Sequence, residues 1–245
     1  KSIAYREIEK AHLYYNTPLV NDYNEIHKNQ PFFYITNYLL NENVPTAEEQ
    51  FAVYNKKSLD IGNSKDDRFY LWQAMIYKSE FDFNNAIATY DTLLTKNPNS
   101  ALAYFNKANA MLDLLELLLK LETGNGEFIN AGDEYKSIEL KDVETVNLRL
   151  KEIENLYEKA IELESDFYLA WFNKAIVLGE QRDFQGSLEA YSKAIKINED
   201  FKEAYLNRGL NYLFLDNPKK ACSDLSKAGE LGLSEAYKII KKYCK

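Results

Sequence analysis

A chain of 245 residues with 46% apolar and 28% charged side chains has the balance of a folded globular protein and is long enough to bury a substantial core. Its net charge of −8 leaves no broad basic face for a phosphate backbone, so nucleic acid is not an expected partner. Scarce glycine (9) and proline (5) disfavour a many-turned β protein and suit long helices.

The chain begins at Lys1 without a methionine and shows no signal peptide, which reads as a processed product or a fragment. Neither compartment nor oligomeric state is indicated. From Ser2 to Tyr15 an apolar stripe (Ile3, Ala4, Ile8, Ala11, Tyr15) has helical spacing. Pro31 to Asn37 is β-like by composition. Residues 1–45 are expected to form an N-terminal extension or the tail of a preceding domain, and 46–245 a helical repeat domain. The latter opens with Thr46-Ala47-Glu48-Glu49, a capping box that starts a helix over 46–61.

From residue 67 the chain repeats itself. Ala103-Tyr104-Phe105-Asn106-Lys107-Ala108 returns as Ala170-Trp171-Phe172-Asn173-Lys174-Ala175 and as Ala204-Tyr205-Leu206-Asn207-Arg208-Gly209. The last two copies lie 34 residues apart, and a looser copy, Tyr70-Leu71-Trp72-Gln73-Ala74, lies 34 before the first. A fixed period of this length signals a repeat architecture.

With the aromatic residue at position 4 of a 34-residue unit, four units align: 67–100, 101 to about 167 with an insertion, 168–201 and 202–235. Position 8 is then Ala74, Ala108, Ala175 and Gly209. Position 20 is Ala86, Ile153, Ser187 and Ala221; position 24 is Tyr90, Tyr157, Tyr191 and Leu225; position 27 is Leu93, Ala160, Ala194 and Ala228. Spacings of three and four place positions 4 and 8 on one helix face, and positions 20, 24 and 27 on another. Small residues at 8, 20 and 27 let paired helices approach, and aromatics at 4 and 24 are expected to fill the wedge between them. Neither helix buries its face alone, so the units must stack.

Ser100 and Asn217-Pro218 are expected to cap helices, Asn97-Pro98 to end one, and Gly179 to Asp183 to form a turn. Tyr104 and Trp171 are 67 residues apart, a surplus of about 33 over one repeat. The surplus is assigned between the two helices of that unit. The first helix is extended to about Leu121, 122–142 forms an acidic insertion, and the second helix runs from Asp142 to about Glu164. The insertion is a solvated loop or a partner-binding lid. A last helix over Ser234 to Tyr243 is expected to cap the array.

These units resemble the tetratricopeptide repeat family across roughly 67–235. The resemblance implies an all-α, right-handed α-α solenoid of stacked antiparallel helix pairs, with an N-terminal extension and a C-terminal capping helix. It also implies a non-catalytic scaffold or adaptor that holds a protein or peptide segment in a concave groove lined by first helices. Carried over by position, the groove comprises Leu71, Met75, Phe105, Asn106, Asn109, Phe172, Asn173, Ile176, Leu206, Asn207 and Leu210. The asparagines at position 6 would offer amides to an extended backbone, or bond locally within the stack. A subgroup of the family clamps C-terminal carboxylates with lysine at position 5. Here that position is Leu71, Phe105, Phe172 and Leu206, so the groove is apolar and the clamp is absent.

No nucleophile, phosphate-binding or zinc-hydrolase motif appears, and no catalytic residue is assigned. With only His12 and His27, and with Cys222 and Cys244 outside any metal spacing, no metal or cofactor is expected. The cysteines either pair across the last helices or stay as idle thiols, the second being favoured. No apolar run reaches the ~18 residues of a membrane span. An alternative function, glycan binding through exposed aromatics, is suggested by the 14% aromatic content.

Overall fold

The computed structural model describes residues 67–123 and 143–244. The expectations for 1–66 and for the insertion therefore lie outside the described residues. Those described are helical and fall into two compact units, one comprising 67–123 with 143–163 and the other 164–244.

The first unit holds α1 (Asp67–Ser79), α2 (Phe83–Lys96), α3 (Ala101–Thr123) and α4 (Val143–Leu163). Each helix packs on the next in sequence. The long α3 ends at Thr123 and α4 begins at Val143. Ala74, Ala86, Leu93, Ala108, Ile153 and Ala160 have no solvent exposure, so the small-residue positions are where helices meet.

The second unit holds α5 (Tyr168–Glu180), α6 (Phe184–Ile197), α7 (Lys202–Phe214), α8 (Pro218–Glu230) and α9 (Glu235–Tyr243). Ala175, Ser187, Ala194, Ala221 and Ala228 are likewise fully enclosed. Gly209 shows how close the approach is: a Cβ there would sit 3.1 Å from Leu225 Cγ and 3.3 Å from the Ala221 carbonyl oxygen.

One turn is used three times to reverse the chain between first and second helices. Phe81, Arg182 and Asp216 all occupy the left-handed region, with φ of 63°, 65° and 53°. The next residue (Asp82, Asp183 or Asn217) accepts from the backbone N–H three residues on and caps the second helix. Ser100 Oγ accepts from the Ala103 N–H at 3.3 Å, as its position before α3 implies.

Two expectations need correction. Of the position-4 aromatics only Tyr70 joins the core between helices; the other three do not fill the wedge. Tyr104, Trp171 and Tyr205 are only half-buried, and cations lie over the rings of Trp171 (Lys174, 5.9 Å) and Tyr205 (Arg208, 5.7 Å). The wedge belongs to position 24, where Tyr90, Tyr157 and Tyr191 have no exposure. Secondly, the favoured reading of the cysteines fails, because Cys222 and Cys244 form a disulfide with a Cα separation of 5.7 Å. The tight reversal at Leu231–Ser234, with Gly232 at φ 95°, folds α9 back on α8 and carries Cys244 to the start of α8.

Candidate functional site

The first-helix positions that the family resemblance marks for a partner are enclosed in this structure. Phe105, Asn109, Phe172, Asn173, Ile176 and Asn207 have no exposure, and Asn106, Leu206, Leu210, Met75 and Leu71 have between 1% and 8%. Their contacts explain part of this. Phe105 lies against Tyr157, with ring centroids 5.9 Å apart, and Phe172 lies against both Tyr191 (5.6 Å) and Phe201 (4.7 Å). Position 5 therefore packs onto the position-24 tyrosine of the second helix, joining the two halves of a repeat.

The amides follow the same logic. The Tyr157 hydroxyl donates to Asn109 Oδ1 at 2.7 Å in a buried setting. In the second unit Ser187 Oγ donates to the Ala175 carbonyl at 2.6 Å and accepts from Asn211 Nδ2 at 2.7 Å. Burial pushes the Tyr191 phenol well above its ordinary value, while side-chain bonds to Asn207 and Ser187 work in the opposite direction. In the second unit a polar seam thus joins one helix pair to the next.

In the first unit the same positions carry less. Ala86 replaces Ser187 and Ala110 replaces Asn211 by register, and the Tyr90 hydroxyl and the Asn106 amide have no hydrogen-bond partner among the described residues. Burial raises the Tyr90 phenol strongly, and the Asp113 charge adds to it.

Position 7 makes a second recurring link. Lys107 Nζ reaches Asp91 Oδ1 at 2.5 Å, and Arg208 Nη1 donates to Ser192 Oγ at 2.9 Å, each touching position 25 of the preceding repeat. Arg208 also grips Asp224 through Nε (2.7 Å) and Nη2 (2.8 Å). Burial alone would lower the Arg208 pKa, but the bonds to Asp224 outweigh it and hold the charge in place. In the first unit Lys78 pairs with Asp113, both largely buried. Sequence reading did not single out position 7, although Lys107, Lys174 and Arg208 stand in the repeated phrase itself.

Among the described residues no group of three or more His, Cys, Asp or Glu could hold a metal ion. Nor is any helix among them long and apolar enough to cross a membrane. The geometry is that of repeated helix pairs joined by a tyrosine wedge, a polar seam and position-7 links, an architecture that presents surface.

Two of these helix pairs match the tetratricopeptide repeat. The tetratricopeptide repeat family model matches residues 69–100 and again 168–201, two of the four units read from the sequence. No curated protein matches the chain. Among solved structures it is similar to MamA (41-end) from Desulfovibrio magneticus RS-1, with 15% identity, TM-score 0.54, and coverage of 77% of this chain and 86% of that one. It is also similar to TTC0263, a thermophilic TPR protein in Thermus thermophilus, with 13% identity, TM-score 0.56, and coverage of 79% and 91%. Likeness at this identity shows the fold. The fold is that of protein-interaction scaffolds generally.

Proposed function

We propose that the chain is a non-catalytic scaffold that holds a segment of a protein partner against the face of its first helices. The observation that carries this reading is the register. Positions 5 and 9, which the family resemblance marks for a ligand, are Leu71, Met75, Phe105, Asn109, Phe172, Ile176, Leu206 and Leu210, all apolar but Asn109, with asparagines beside three of them at position 6. An apolar first-helix face suits an amphipathic helix or an extended apolar segment. Since the eleven residues are enclosed, they back this face, and first contact falls to its half-buried border, such as Leu102 and Leu213 at positions 2 and 12. Tyr90, Tyr157 and Tyr191 are fully enclosed and unavailable to a sugar, so they lend the glycan alternative no support.

Photo-crosslinking in the producing cells tests the reading. A benzophenone side chain at Leu102 or Leu213 is expected to give one discrete polypeptide adduct. The exposed positions Glu199 and Ser226 are expected to give none. The same adduct from all four sites, or none from any, would move the partner off this face.

A further inference from the structure

A cleft of about 510 Å³ lies in the second unit, away from the first-helix positions discussed above. It is walled by α6, by the end of α7 and by the start of α8, and every residue lining it occupies a register position other than 2, 5, 6, 9 or 12. Its apolar part is formed by Leu188, which is buried, by the half-buried Tyr212 ring, and by Leu215, which is 44% exposed.

The charges around it are one-sided. Lys193, Lys196 and Lys220 line the cleft and are exposed, and none of them makes an ion pair among the described residues. Lys220 Nζ lies over the Tyr212 ring at 5.2 Å. The single carboxylate in the lining, Glu189, accepts from Gln185 Nε2 at 3.1 Å. Ser192 is committed to Arg208 and to the Leu188 carbonyl. On a chain whose net charge is −8, three unpaired ammonium groups around an apolar floor form a local reversal of field.

We propose that this cleft is a second docking site, which takes an acidic peptide segment of a partner protein with a large apolar side chain among its carboxylates. The carboxylates would meet Lys193, Lys196 and Lys220, and the apolar side chain would cover Leu215 and Tyr212. Two features favour a peptide over a small anion. The lysines come from two helices, and Lys193 and Lys196 are one helical turn apart, so a single small anion does not serve all three. The exposed leucine also needs an apolar contact that an inorganic anion lacks.

The test uses the full chain and a fluorescein-labelled acidic heptapeptide carrying one phenylalanine and one leucine among aspartates and glutamates. Saturable binding in fluorescence anisotropy is expected. The double variant Lys193→Glu, Lys220→Glu is expected to weaken it by about tenfold or more, and Leu215→Ser by a few-fold. All three positions are exposed, so these variants are expected to keep the parent circular dichroism spectrum and melting midpoint. Binding unchanged in the lysine variant would overturn the proposal. So would equal affinity for a peptide with serine in place of both apolar residues, or no saturable binding. Preferential binding to phosphatidylserine vesicles would assign the patch to a membrane surface and equally overturn it.

Discussion

At the scale of single residues, the repeat distributes one job across three tyrosines and completes it unevenly. Tyr157 donates to Asn109, whereas Tyr90 is equally enclosed and its hydroxyl has no partner among the described residues. Removing one member of a buried pair strands the other, while removing an unbonded hydroxyl strands nothing. Tyr157→Phe is therefore expected to cost about 1 to 2 kcal/mol, and Tyr90→Phe to stay within about 0.5 kcal/mol of the parent or to stabilise it. Urea unfolding of the two variants decides this, and equal losses would refute it. The positions of these tyrosines were legible, because a 3.6-residue period marks an inward face whatever its neighbours. Their bonding was not, since it depends on what stands at positions 6 and 9 of first helices and at position 20 of their own. The half-buried aromatics at position 4 were misread for a related reason: apolar character alone does not separate a ring wedged between helices from one roofed by Lys174 or Arg208.

At the scale of elements, helix ends were read from their capping chemistry, and Asn217-Pro218 stands where a cap and first-turn proline belong. Gly179 to Asp183 announced the reversal at Arg182, and Asn217-Pro218 the one that follows Asp216, but the left-handed conformation of Phe81, Arg182 and Asp216 was not legible, since none of the three is a glycine. The last helix was legible as a cap, but its covalent attachment was not, since two cysteines 22 residues apart pair only if the chain doubles back. The Cys222–Cys244 bond closes that loop, and on chain-entropy grounds reducing it is expected to cost about 3 kcal/mol. Thiol titration of the unreduced, denatured protein is expected to find both cysteines blocked. Thermal unfolding with and without reductant then gives the cost, and two free thiols at the outset would contradict the structure.

At the scale of the whole molecule, the 34-residue period made the helix pairs legible without coordinates, because each helix must bury one face against the next. Partner and ligand were not legible, since the positions that speak to them are surface choices that the fold leaves open. The buried tyrosines also give the molecule a pH limit. The Tyr90 and Tyr191 phenols are raised above the ordinary value near 10, chiefly by burial. The unfolded chain therefore releases these protons first, so the stability is fully present below pH ~10 and is lost as pH rises beyond it. Helicity and phenolate absorbance, followed together, are expected to change in one cooperative step above that pH. Full phenolate absorbance from a still-helical protein would show these rings to be accessible.

The scaffold reading stands or falls on which face a partner covers. Hydrogen–deuterium exchange of the full chain, alone and bound to the polypeptide recovered by crosslinking at Leu102 or Leu213, measures this directly. New protection is expected in the first helices α3, α5 and α7. Protection confined to the second helices α6 and α8, or absent throughout, would contradict it.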